Sequence, residues 1–340
     1  MIRRDSRPRR KTTNRFDIGS EDDTKHRRLP DFIVVGPPRT GTTWLDRVLR
    51  GHVELPADLK ETQFFAWNFG LGINWYAAFF RNCDPLSLAG EIAPTYFDKP
   101  IVRHRIVRLL PHCKIICSLR DPVERVYSQY KTWHRSGLVR MPFNYDLLRQ
   151  KLGANGSYAF NVRAWQKAYG TENVLVQLYE DLKRNDQSYI DVLCSFIGIP
   201  QIALARTKFG RHEINPSEES PRSLALARFG GRLRTWATRH PRLLLARQLE
   251  AQMPLWRFFF AGGPNYPPLD STVDRNLRER LMPEIEELER LLGRDLAEWK
   301  IPRRSTDHGH SARRNASVNT SQQDGRLKVD GIGVTLAMNK

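Results

Sequence analysis

The chain has 340 residues, 40% of them hydrophobic, and a formal net charge of +18. That apolar content suffices for a substantial core, so one α/β domain between polar tails is the simplest organisation. Four cysteines without a CxxC pair exclude a disulfide framework and a cysteine zinc site, and no run of about 20 apolar residues marks a membrane span.

In chain order, residues 1–30 form a charged segment too polar for a core, and seven Arg or Lys against one Asp in 1–15 make it basic. It lacks the apolar stretch of a secretory signal, so a cytoplasmic protein is expected. The run from Asp31 to Gly36 is short, apolar and ended by glycine and proline; a Gly/Thr turn and the helical pattern from Thr42 to Arg50 follow. Strand, loop and helix recur where Lys114 to Leu119 ends at Arg120-Asp-Pro122 and leads into the helix-like Val123 to Arg135. Cys113 and Cys117 of this run are expected to be packing residues. A third run, Asn173 to Leu178, precedes the apolar-periodic Ser188 to Phe196. Alternating strands and amphipathic helices predict an α/β fold with a P-loop-like central parallel sheet, flanked by helices on both faces. The domain is expected to span 31–302.

Residues 222–262 read as one or two basic amphipathic helices, interrupted by Pro241 and Pro254. Such helices either pack on the domain with their arginines solvated or make peripheral contact with an acidic membrane surface. From Ser271 to Leu292 the apolar residues Leu277, Leu281, Ile285 and Leu288 recur at helical spacing, and Gly293 ends the pattern. Residues 303–340 form a second polar tail.

The loop Gly36-Pro-Pro-Arg-Thr-Gly-Thr-Thr43 has the two glycines and terminal hydroxyl of a phosphate-binding loop, between a strand and a helix. Backbone N–H groups and the positive end of the helix dipole would converge there on an anion. An NTPase loop carries lysine after the second glycine. Thr42 stands in that place and Arg39 is the nearest cation of the loop, which disfavours ATP or GTP hydrolysis.

Arg39-Thr-Gly-Thr-Thr-Trp44 resembles the 5′-phosphosulfate loop of PAPS-dependent sulfotransferases, with Arg39 where the family has lysine. Leu119-Arg-Asp-Pro-Val-Glu-Arg-Val-Tyr-Ser128 is similar to their 3′-phosphate segment, with Arg120 and Ser128 in the gripping positions. Arginine suits that task because it binds phosphate bidentately. The resemblance runs from Asp31 to Trp299 and is strongest to the carbohydrate branch that includes heparan sulfate sulfotransferases, in a soluble, bacterial-like form. Glu61-Thr-Gln-Phe-Phe65 resembles the segment that carries the branch's catalytic glutamate. Glu91-Ile-Ala-Pro-Thr-Tyr96 resembles another, with Ile92 in place of a lysine. Tyr158 through Trp165 and Tyr179-Glu-Asp-Leu182 also follow the family, and Lys208-Phe-Gly-Arg211 corresponds to a late basic loop over the nucleotide.

The resemblance implies PAPS (3′-phosphoadenosine 5′-phosphosulfate) as cosubstrate and no metal. It places Pro38, Arg39, Thr40, Gly41, Thr42, Thr43, Arg120, Ser128, Tyr158 and Arg211 on the nucleotide, with Glu61 and Arg39 catalytic. Glu61 is the expected base; by residue type alone it reads as a surface carboxylate capping a turn. Glu91 is the second candidate, ahead of His104, His112 and His212. The expected acceptor is a hydroxyl or amine, on a carbohydrate or glycolipid. Two other classes compete: a P-loop nucleotide kinase, opposed by Thr42, and a basic nucleic-acid-binding protein, opposed by the confinement of charge to a tail and one segment without a recognition module.

Overall fold

Four short strands frame the structure, a computed structural model that describes residues 27–57, 59–84, 86–139, 142–146, 148, 157–204, 219–239 and 258–302, the side chains of 233–239 excepted. They are β1 (Phe32–Gly36), β2 (Gly90–Ile92), β3 (Lys114–Leu119) and β4 (Val174–Leu178). All pairs are parallel, in the order β2-β1-β3-β4, with Ile33 opposite Glu91 and Ile115, and Ile116 opposite Leu175. Every residue of β1 is buried. A parallel strand covered on both faces needs such a continuous apolar run.

The period-two alternation of these strands divides the core into two layers. Phe32, Val34, Ile92 and Ile116 pack with α1 (Thr42–Leu49), α6 (Tyr179–Arg184) and α7 (Asp186–Ile197) through Leu45, Leu182 and Leu193. Ile33, Val35, Ile115 and Cys117 face the other way. They join Ile106 of α3 (Pro100–Leu109), Trp165 of α5 (Tyr158–Tyr169) and Ile285 of α9 (Ser271–Leu292). The intervening α2 (Ile73–Ala77), α4 (Pro122–Arg135), α8 (Leu224–Arg239) and the short α10 (Ala297–Lys300) complete the helices described. Cys113 and Cys117 are buried and in no disulfide, as packing residues should be.

The three expected strand-to-helix units are present, with ends shifted by one or two residues, and α9 keeps its expected bounds despite Pro283 inside it. Several elements lie beyond the sequence reading, α2, α3, α5 and α6 among them. β2 has three residues, too few for a periodic pattern, and Glu219–Pro221 pairs antiparallel with Gly262–Asn265 as β5 and β6. Pro241, Pro254, residues 1–26 and residues 303–340 lie outside the described residues.

One buried ion pair fixes α9 against the start of α4. Asp121 caps α4 by accepting from the Val123 and Glu124 N–H groups, and its other oxygen receives Arg278 Nη1 at 2.9 Å. Arg278 also donates to Asp274 at 3.1 Å and to the Trp299 carbonyl at 2.5 Å. Arg278 and Asp121 are each 2% exposed in their side chains, so these bonds replace the water that both charges lose.

Candidate active site

The loop 36–43 emerges from the C-terminal end of β1, and Arg120 from the end of β3 beside it. This is where parallel α/β sheets open a crevice. Gly36 and Gly41 adopt φ of 92° and 88°. A Cβ on Gly36 would lie 2.4 Å from the Pro94 backbone, and one on Gly41 would lie 2.9 Å from Leu182, so both positions require glycine. Gly36-Pro37 is cis, and Arg39 itself has φ of 74°. Thr40 is fully buried; its hydroxyl donates to the Pro37 carbonyl at 2.8 Å, while Ser118 Oγ donates to the Thr40 carbonyl at 2.7 Å. The loop is thereby held from inside, and the Thr40 hydroxyl, expected on the nucleotide, is committed to the loop itself. Gly41 caps α1 without any side-chain cap, and no acidic residue stands in the first turn. The N–H groups of that turn thus have no capping side chain, the arrangement that suits an anion at a helix start.

Arg39 and Arg120 meet at this opening. Arg39 Nε donates to Ser128 Oγ at 3.1 Å, and Arg120 Nη1 reaches the Arg39 carbonyl at 3.4 Å. Arg120 is further held by Glu124 at 2.9 Å and lies over the Tyr179 ring at 4.6 Å. Burial, then the charges of Arg120 and Arg135, lower the Arg39 pKa to about 10. Cations crowded against one another in a partly dry site are matched by a polyanion. Pro38 stands half-buried in the loop. Tyr158 is 1% exposed, and its hydroxyl donates to the Arg120 carbonyl at 2.9 Å, so it supports Arg120 from the core side instead of facing the opening. Arg211 and His212 lie outside the described residues.

Glu61 stands beside the loop. Its neighbour Lys60 donates to Thr43 Oγ1 at 3.2 Å and lies 3.7 Å from Glu61 Oε1. Glu61 Oε2 accepts from Gln63 Nε2 at 2.5 Å, and Gln63 Oε1 accepts from Thr95 at 2.7 Å. Burial raises the Glu61 pKa, and Lys60 opposes the rise. A carboxylate held near the loop, with its proton affinity increased, has the properties of a general base.

Glu91 has a different task from the one expected. It is fully buried on β2, where it accepts from Thr62 N at 3.0 Å, Thr62 Oγ1 at 2.6 Å, Tyr76 at 2.7 Å and Tyr96 at 3.3 Å. A base must reach its acceptor, and these donors and rings enclose Glu91. It anchors Thr62 and through it the backbone next to Glu61. Phe64 stacks on Tyr76 at 4.5 Å between ring centres, which closes the same cluster. Ile92 packs into the apolar layer below the loop, and the lysine near the loop is Lys60, from the segment before Glu61. His104 on α3 and His112 before β3 are exposed, and His112 lies at the opposite end of its strand from Arg120. Neither belongs to the crevice.

A glycine loop at a helix start, Arg39 of that loop, Arg120 at the end of β3 and Ser128 on α4 thus meet at one opening, with the Glu61 carboxylate nearby, an arrangement whose charge suits an anion. The chain belongs to the sulfotransferase domain family, whose sequence model matches residues 29–222. It is 31% identical over 216 residues, 56% of its length, to the bifunctional heparan sulfate N-deacetylase/N-sulfotransferase 2 of Mus musculus, of which it covers 24%. It is 41% identical over 106 residues, 30% of its length, to the membrane-associated sulfotransferase kil1 of Dictyostelium discoideum, of which it covers 22%. The chain thus spans about a quarter of the length of these relatives. Among solved structures, a sulfotransferase from Alicyclobacillus acidocaldarius superposes with a TM-score of 0.56 over 81% of this chain and 100% of that one, at 20% identity. Fold and family agree.

Proposed function

We propose that this enzyme transfers a sulfuryl group from PAPS to a hydroxyl or amine of a carbohydrate or glycolipid. The observation that carries the reading is the convergence of the uncapped α1 start, Arg39, Arg120 and Ser128 on one opening. An anionic nucleotide phosphorylated at both ends needs two such anchoring points. Arg39 and the loop N–H groups would hold the 5′-phosphosulfate, and Arg120 with Ser128 the 3′-phosphate. Glu61 would take the proton of the acceptor as its oxygen or nitrogen bonds to sulfur and the bond from sulfur to the 5′-phosphate oxygen breaks. Arg39 then offsets the charge left on the departing 3′,5′-bisphosphate, PAP. No step in this scheme calls on a metal.

The carbohydrate acceptor is supported by the heparan sulfate relative. The same reading takes 31–302 as the catalytic domain of a cytoplasmic enzyme. Within 222–262, the basic helix Leu224–Arg239 packs on the domain in this reading, and the solvated arginines of the segment would make any contact with an acidic membrane surface. Among the described residues no helix is long and apolar enough to cross a membrane. The test uses PAP: it should raise the melting temperature without added metal, because a ligand of the native state stabilises by mass action, while ATP with magnesium should not. An unchanged melting temperature at saturating PAP would refute the nucleotide. Labelled PAPS offered with heparan-type oligosaccharides then identifies the acceptor.

A further inference from the structure

Lys60 is the one described lysine bonded to the loop 36–43, and it belongs to neither set of residues assigned above to the nucleotide or to proton transfer. Its ammonium stands between Thr43 Oγ1 at 3.2 Å and Glu61 Oε1 at 3.7 Å. Three charged groups face it: Glu61 beside it, Asp46 from α1 and Arg39 from the loop. Asp46 is engaged by Arg50 through two bonds of 3.0 and 3.1 Å, which leaves Glu61 as the carboxylate that Lys60 serves. The groups facing Glu61 are Lys60, Asp46 and the Gln63 amide.

We propose that Lys60 is a positioning residue that ties the donor loop to the base, orienting the Thr43 hydroxyl with one N–H bond and fixing the Glu61 carboxylate by charge. An ammonium only donates, so Thr43 Oγ1 accepts from it and must direct its own proton elsewhere. Thr43 is exposed in the first turn of α1, so that proton is free for an anion at the helix start. Glu61 is meanwhile held from two sides, Oε1 by Lys60 and Oε2 by Gln63. Thr62, which follows Glu61, is locked onto Glu91, so the backbone of Glu61 cannot shift without disturbing a buried cluster. Burial disfavours the charged form of both groups, and their mutual attraction opposes it. Removing Lys60 therefore raises the proton affinity of Glu61 further, so that a smaller fraction of it is carboxylate, the form that serves as a base, on the acid side of the profile, and the carboxylate also loses one of its two holds.

This inference rests on Glu61 being the base, and the experiment separates the two. The Glu61 carboxyl is titrated by carbon-13 NMR in the wild type, Lys60→Met and Lys60→Arg, without donor or acceptor. Turnover with PAPS and an oligosaccharide is measured across pH on the same proteins and on Glu61→Gln. In Lys60→Met the carboxyl titration and the acid limb of turnover should both move up by about one pH unit, and turnover should fall roughly tenfold to a hundredfold. Lys60→Arg should restore both, and PAP affinity should change by less than about threefold in either variant. A carboxyl titration unmoved in Lys60→Met overturns the contact whatever the activity does. A shifted titration with full turnover in Glu61→Gln overturns the base, and with it the catalytic purpose of Lys60, while leaving the contact standing.

Discussion

Arg120 shows how one residue in this site is defined by what surrounds it. Glu124 pairs with it, Tyr179 lies under its guanidinium, and Tyr158 holds its carbonyl. Such constraints leave little rotamer freedom to lose when a phosphate binds. Arg120→Ala should therefore weaken PAP by about 1.5–3 kcal/mol, the range of a charge-assisted contact. Adenosine 5′-phosphosulfate lacks the 3′-phosphate and should lose far less. Calorimetry with both ligands checks this, and equal losses would show that Arg120 does not read the 3′ position. The pair Arg120 and Ser128 was read from the resemblance of 119–128 to a 3′-phosphate segment, since Arg120-Asp-Pro122 by itself is also an ordinary helix start; the fold places Arg120 at the end of β3 and Ser128 on α4. Tyr158 and Glu91 were legible as members of matching segments but not as buried supports, since burial depends on contacts between Tyr158 and Arg120, or between Thr62 and Glu91, that no local pattern encodes. Lys60 gave one signal, its place directly before Glu61, and that signal has no meaning until Thr43 is brought beside it.

Among the elements, those with a clear apolar run or stripe declared themselves, whereas the three-residue β2 and the helices α3 and α5 did not. α9 has 22 residues and an apolar stripe, and its bounds were readable from Ser271 to the left-handed Gly293 that ends it. β2 has three residues, all buried, and its place beside β1 is fixed by pairing across more than fifty residues of chain. The five-residue turn Phe64–Asn68 is similar: it is stabilised by stacking of Phe64 on Tyr76, not by propensity. Packing of α9 against α4 is likewise a tertiary fact, and it has a measurable consequence. Arg278→Met would keep most of the side-chain volume and leave Asp121 charged, buried and without its main partner. Breaking one side of such a pair costs about 3–5 kcal/mol. Urea unfolding should register a loss in that range, with weaker PAP binding because Asp121 caps the helix that carries Ser128. A loss under about 1 kcal/mol would mean that the pair contributes little beyond its own desolvation.

Across the whole molecule, charge and chemistry are kept apart. All but one of the 18 net positive charges fall in residues 1–15, 222–257 and 303–340, and the remaining sequence, which holds the nucleotide site, is close to neutral. A field made by such basic segments acts over about a Debye length, near 10 Å at 0.1 M salt, and raises the local concentration of an acidic partner without contributing to the chemical step. If the acceptor is an acidic glycan, its KM should rise steeply with ionic strength while kcat stays nearly constant. A neutral oligosaccharide carrying the same acceptor group should show no such rise. Replacing the seven basic residues of 1–15 by glutamine should raise KM for the acidic glycan at low salt and leave the neutral one unchanged. Melting temperature in saturating PAP provides the control, since the loop 36–43, Arg120 and Ser128 are untouched by those replacements. KM values for the two glycans that respond equally to salt and to the replacements would show that the basic segments do not recruit the acceptor.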